Sequence, residues 1–191
     1  MKVYAKNHEF EKAGELKRQI FALQHINDIA LLKETSLGHP MSKLGDFRIE
    51  AYDIAHMGGK DMVGVMTVVI DGEAEKSEYK KFKIRTQENA NDTGALSEIL
   101  ERRFLHTEWT FPNIIVVDGG VAQLNVAKKV MARFNLDVKI VSVVKDERHK
   151  PKAIMGDEKL VLKYKKDILL ANSESHRFAI AYHKNMRNKN F

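Results

Sequence analysis

The 191-residue chain is 43% hydrophobic and 30% charged, the balance of an ordinary globular protein with room for one well-buried α/β core and a small appendage. It carries no run of about 18 or more apolar residues and no charged start leading into an apolar stretch with a small-residue cleavage site, so neither a membrane span nor secretion is expected, and the cytoplasm is the expected compartment. The absence of cysteine excludes disulfides and thiolate zinc sites, while a formal net charge of +6 and a pI near 9.3 favour an acidic polymer as partner.

Residues 1–36 are strongly charged, with apolar positions at Phe10, Ala13, Leu16, Ile20, Leu23 and Ile26. This three-and-four spacing predicts a helix with one apolar stripe that needs a partner. Residues 37–46 contain Gly38, Pro40 and Gly45 and no periodicity, and read as a linker. A folded domain is expected over residues 47–191.

Three extended segments open that domain: Phe47 to Ile54, Met62 to Ile70 and Glu78 to Ile84. They are rich in β-branched and aromatic residues and are separated by the turns HMGGKD and DGEAEK, which predicts an antiparallel meander. Leu96, Ile99, Leu100 and Phe104 share one face of a helix expected over Asp92 to His106, and the unbroken apolar run Ile114 to Val117 suits a buried strand ending at Asp118. A helix from Val121 to Phe134, a strand from Val138 to Val144 and a last helix from Ser173 to Met186 complete the order. Between Asp146 and Leu170 a short hairpin is expected, with Lys159 to Lys163 as one arm. The order βββαβαβα is the plan of a ribonuclease H-like mixed α/β sheet.

Candidate chemistry gathers at strand ends, where open sheets place their functional groups. Asp53 lies near the end of the first strand, in EAYDIAH, and Asp118 ends a later strand just before Gly119 and Gly120. Were those strands neighbours, the two carboxylates would face one divalent cation, and with only oxygen and imidazole ligands on offer magnesium or manganese fits best. His176, at the start of the last helix, is either a third ligand or a proton donor and acceptor. Such a set suits metal-assisted phosphodiester cleavage. The competing reading is local: a strand-terminal aspartate also caps the helix after it.

The segments RIEAYDIAHMGG, SEYKKFKI, NDTGALSEILERRF, IIVVDGGVAQLNVA and ESHRFAIAYHKNMR, in this order, resemble the C-terminal endonuclease half of the UvrC family, a component of the bacterial excinuclease ABC. FEKAGELKRQIFAL resembles that family's UVR motif. The resemblance implies a divalent-metal endonuclease with Asp53, Asp118 and His176 as its catalytic and metal-binding set. The implied reaction is the 5′ incision at damaged double-stranded DNA in nucleotide excision repair, a process tied to the SOS response. It implies docking on the helicase UvrB through the UVR segment and no small-molecule cofactor. Asp92, in ENANDTGAL, matches an aspartate also implicated in incision, although an acidic residue at a helix start is favoured by the dipole alone. Lys145 resembles a lysine able to hold a phosphate. Arg177, Lys184 and Arg187 on the last helix are expected to grip backbone phosphates, against the plainer expectation of a solvated basic face. His56 falls inside the first-strand motif with no chemistry to assign.

Departures from the family pattern are also present. Val121 stands where a basic residue is usual, DILLANS precedes the histidine motif, and the UVR hairpin is short at its start. The family's GIY-YIG nuclease and tandem helix-hairpin-helix domains are not represented in these 191 residues, so 3′ incision is not expected of them. The contrasting possibility is a module that binds UvrB and DNA without catalysis of its own.

Overall fold

A computed structural model describes residues 46–57, 61–86, 91–147 and 151–187. The expected UVR helix and nearly all of the linker lie outside the described residues. In chain order the elements are β1 (Arg48–Met57), β2 (Asp61–Ile70), β3 (Glu73–Ala74), a 3-10 turn (Lys76–Glu78), β4 (Lys80–Lys83), α1 (Asp92–Leu105), β5 (Ile114–Asp118), α2 (Val121–Arg133), β6 (Lys139–Lys145), β7 (Pro151–Met155) and α3 (Glu158–Arg187). Among the described residues no helix is long and apolar enough to cross a membrane.

The strands form one mixed sheet in the order β3-β2-β1-β5-β6-β7, with β4 also on β2. β1, β2 and β4 are the expected antiparallel meander. The turn after β2 is made by Asp71 and Gly72, both at positive φ, and Asp71 ties back to Phe47 by accepting its N–H at 2.9 Å. β1, β5 and β6 run parallel, and β7 returns antiparallel along β6.

Side-chain alternation divides the core into two layers. On one face Tyr52, Met66, Val68, Ile115 and Val117 pack against Leu96, Ile99, Leu100 and Phe104 of α1 and Ala127, Val130 and Met131 of α2. On the other face Ile49, Ala51, Val69, Ile114, Val116, Val141 and Val143 pack against Tyr164, Ile168 and Ala171 of α3. Val63 and Val65 meet Ala179 further along the same helix. By the same parity Asp53 and Asp118 project from the α3 side, toward the helix that carries His176.

One expectation is overturned. Lys159 to Lys163 is not a hairpin arm but the first turn and more of α3, which begins at Glu158 and not at Ser173. Asp157 starts the helix: its side chain accepts the Leu160 N–H at 2.9 Å and its carbonyl accepts the Val161 N–H at 2.9 Å. Leu160, Val161, Tyr164, Ile168 and Ala171 then recur at helical spacing against the sheet. The helix bends at Tyr164 (φ −110°, ψ 16°), whose ring stacks on Phe47 with centroids 4.1 Å apart. The hairpin that does exist pairs β6 with Pro151–Met155.

The first layer also encloses a charged cluster. Glu50 and Arg103 are both fully buried, and Glu50 accepts from Arg103 at 2.8 Å, Arg48 at 2.9 Å and the Tyr52 hydroxyl at 2.6 Å. Arg103 also donates to the Thr110 carbonyl at 2.7 Å, and Arg48 reaches Glu78 at 2.5 Å. Burial, followed by the nearby Glu50 carboxylate, pushes the Tyr52 phenol well above its ordinary range. Every charge in this cluster has a partner, as burial demands.

Candidate active site

β1 is longer than its parallel neighbour. It pairs with β5 only from Ile49 to Tyr52, while its pairing with β2 continues to Met57. Asp53 through Met57 therefore overhang the carboxyl edge of the parallel strands. Asp118 ends β5 level with Val143 of β6, and Lys145 follows two residues further along β6. A cavity of about 670 Å³ opens at this edge, lined by Asp53, Asp118, His176 and Lys145 together with His56 and Asp92.

Two carboxylates and an imidazole converge there. One ligand atom each from Asp53, Asp118 and His176 lies within 4.8 Å of the others. His176 Nδ1 is 3.2 Å from Asp53 Oδ2, with the Asp53 side chain 12% exposed and that of His176 43% exposed. Burial first, then repulsion from Asp118, holds the Asp53 carboxyl above the ordinary aspartate range, opposed by Lys145 and His176. Two close carboxylates in a low-dielectric corner, with an imidazole nitrogen beside them, form a donor set suited to a divalent cation.

The backbone at Gly119 explains the DGG motif. Gly119 has φ +133°, a conformation L side chains rarely adopt, and an added Cβ would lie 2.5 Å from the Gln123 carboxamide carbon. Gln123 Oε1 accepts the Gly120 N–H at 3.1 Å, which satisfies a donor at the start of α2 without help from Asp118. The Asp118 carboxylate is thus left to the cavity.

The remaining expected residues divide. Lys145 Nζ lies 2.6 Å from Asp118 Oδ2, so its charge sits on the carboxylate pair. Asp92, the first residue of α1, meets His56 Nε2 at 2.6 Å on the cavity wall. Arg177 turns from the cavity to Glu174, at 2.9 and 2.5 Å, so its charge is compensated. Lys184 and Arg187 belong to the last turns of α3, with side chains outside the described residues. Sequence reasoning missed two links, His56 to Asp92 and Lys145 to Asp118. The available signal for the second was position alone: both residues end adjacent strands.

A family model described as the UvrC RNAse H endonuclease domain matches residues 41–184. The chain belongs to the UvrC RNAse H endonuclease domain family. The UvrABC system protein C of Clostridium botulinum strain Hall is 39% identical, a match covering 75% of this chain and 27% of the relative. For strain Loch Maree the identity is also 39%, covering 94% of this chain and 33% of the relative, and the Clostridium acetobutylicum protein is 37% identical over 74% and 26%. The chain spans about a quarter to a third of the length of these relatives. Among solved structures, endonuclease V of Ciona intestinalis bound to an inosine-containing DNA covers 84% of this chain and 67% of its own, with a TM-score of 0.42 and 10% identity, a likeness too slight to draw on. The UvrC domain match includes Asp53, Asp92, Asp118, Lys145, His176 and Arg177, ends on Lys184 and leaves out Arg187.

Proposed function

We propose that this domain is a divalent-metal-dependent DNA endonuclease that makes the 5′ incision at damaged DNA. The observation that carries the reading is the convergence of Asp53, Asp118 and His176 at the carboxyl edge of the sheet, in a chain of an endonuclease-domain family. Asp53 and Asp118 would hold magnesium or manganese with His176 as neighbour or third ligand. When bound, the ion would supply Lewis acidity to the scissile phosphate and make a nearby water easier to ionise.

The side chains divide the remaining work. Asp53 orients the His176 ring through its Nδ1, fixing which nitrogen faces the cavity. Lys145, linked to Asp118, stands within reach of a phosphate oxygen drawn to the same corner. Gly119 adopts the φ that turns the chain from Asp118 into α2. Lys184 and Arg187 position DNA through its phosphates. The segment over residues 1–36 docks on the helicase UvrB, residues 37–46 serve as linker, and residues 47–191 form the nuclease.

The test is nicking of a lesion duplex already cut on the 3′ side and loaded with the helicase, in manganese. Wild type should cut 5′ to the lesion and Asp118→Asn, though folded, should not. Full activity in that variant would sink the assignment. Binding without cutting by either protein would favour a docking module.

A further inference from the structure

The cavity has a second wall. Asp53, Asp118 and His176 occupy its α3 side, whereas His56, of opposite parity on the β1 overhang, sits on the α1 side against Asp92. Their 2.6 Å contact uses His56 Nε2, which leaves Nδ1 as the ring nitrogen without a part in that contact. Neither residue is needed to finish the helix. Asn91 caps α1, accepting the Gly94 N–H at 2.9 Å and the Thr93 hydroxyl at 2.9 Å. The pair is also half exposed, at 47% and 52%, and so contributes little to folding. An aspartate fixing one nitrogen of an imidazole that itself lines an open cavity is the arrangement of a proton-transfer group with its orienting carboxylate.

We infer that His56 donates the proton to the leaving 3′ oxygen of the cut strand, with Asp92 as its positioning residue. The inference rests on the nuclease reading above. In-line displacement places the attacking and leaving oxygens on opposite sides of phosphorus. With the carboxylate pair on one wall serving the water side, the facing wall serves the leaving group. The water oxygen forms a bond to phosphorus, the phosphorus–O3′ bond breaks with its electron pair going to O3′, and O3′ takes the proton from His56 Nδ1. The proton lost by water passes to solvent, and His56 is reprotonated from solvent. The products are a 5′-phosphate and a 3′-hydroxyl.

A leaving sulfur needs no proton, which makes the role measurable. The substrate is the lesion duplex described above, loaded with the helicase, with the bridging 3′ oxygen at the mapped cleavage bond either kept or replaced by sulfur. On the oxygen substrate His56→Ala should lose about 10²-fold in nicking rate, the low end of general acid catalysis. On the sulfur substrate its deficit should shrink to within about threefold of wild type, as expected when proton transfer no longer matters. Asp92→Asn should show the same pattern with a smaller deficit. His56→Gln retains a donor for Asp92 but cannot transfer a proton, so it should resemble His56→Ala. Wild-type-like cutting of the oxygen substrate by His56→Gln, or equal deficits on both substrates, would overturn the role. Nicking of neither substrate by wild type would overturn the nuclease reading itself, and this inference with it.

Discussion

The ammonium of Lys145 lies 2.6 Å from Asp118 Oδ2, joining the ends of two adjacent parallel strands, with the side chains only 14% and 20% exposed. Lys145 therefore competes with any cation for the same oxygen, and its charge opposes a second positive charge nearby. Two unit charges about 4 Å apart interact by about 1 kcal/mol in water and more when partly buried. Replacing Lys145 by Met should accordingly tighten manganese binding by about fivefold or more. Nicking at saturating manganese should fall, because a phosphate loses its point charge. Calorimetric titration with manganese checks the first effect, and unchanged affinity would show that the Lys145 charge does not reach the carboxylate pair.

Asp53 carries a stability cost with a definite sign. Burial and Asp118 raise its folded-state pKa above the ordinary value of 3.8, so the folded protein binds more protons than the unfolded chain over the interval between the two values. Stability attributable to this group therefore falls as pH rises through that interval and stays lower above it. Asp53→Asn should remove this slope and stabilise the metal-free protein near neutral pH by about 0.5–2 kcal/mol, while abolishing nicking. Thermal melts in chelator across pH 3 to 8 provide the check, and a less stable Asn variant at neutral pH would contradict the stated cause.

The Glu50–Arg103 pair is a folding determinant that does not itself line the cavity. Glu50→Gln leaves Arg103 and Arg48 facing a neutral group in a fully buried setting and should cost about 3–5 kcal/mol. Replacing both partners with apolar residues, Glu50→Leu with Arg103→Met, should cost less than the sum of the single changes, since no lone buried charge remains in that pair. Urea denaturation of wild type, Glu50→Leu, Arg103→Met and the double variant measures the coupling, and strictly additive losses would contradict it.

Among the basic residues of α3, Arg177 already has a carboxylate partner. Arg177 is bonded to Glu174, and Glu174 also accepts the Tyr79 hydroxyl at 2.8 Å. Arg177→Ala should leave the salt dependence of duplex binding nearly unchanged. Lys184→Ala and Arg187→Ala should each reduce the magnitude of the slope by about 0.9, the value for one phosphate contact on duplex DNA. Fluorescence anisotropy across a salt series measures this, and a slope insensitive to both changes would remove the α3 terminus from the proposed DNA surface.

The amino-acid sequence by itself determined what depends on short-range pattern. Alternation and turn residues gave the β1–β2–β4 meander, a 3.6-residue stripe gave α1, and an apolar run stopped by Asp118 gave β5. Asp53 and Asp118 were legible as candidates because they stand at or near the ends of expected strands, whereas His176, expected at a helix start, lies in the interior of α3. The start of α3 was misread although Asp157 and the stripe from Leu160 to Ala171 were present, because the short apolar run Leu160–Leu162 between two lysines also suits a strand. The sheet at β6 had already taken Pro151–Met155 as its partner.

Tertiary structure alone decided which distant side chains meet. Glu50 and Arg103 are 53 residues apart, His56 and Asp92 are 36 apart, and Lys145 and Asp118 are 27 apart. Strand order and register fix these pairings, and a shift of one residue would turn each strand's side chains to the opposite face. The wall on which each group stands is set by the parity of its position in the sheet and by which helix covers that face. Local pattern can name a candidate residue, but only the assembled sheet assigns it a partner.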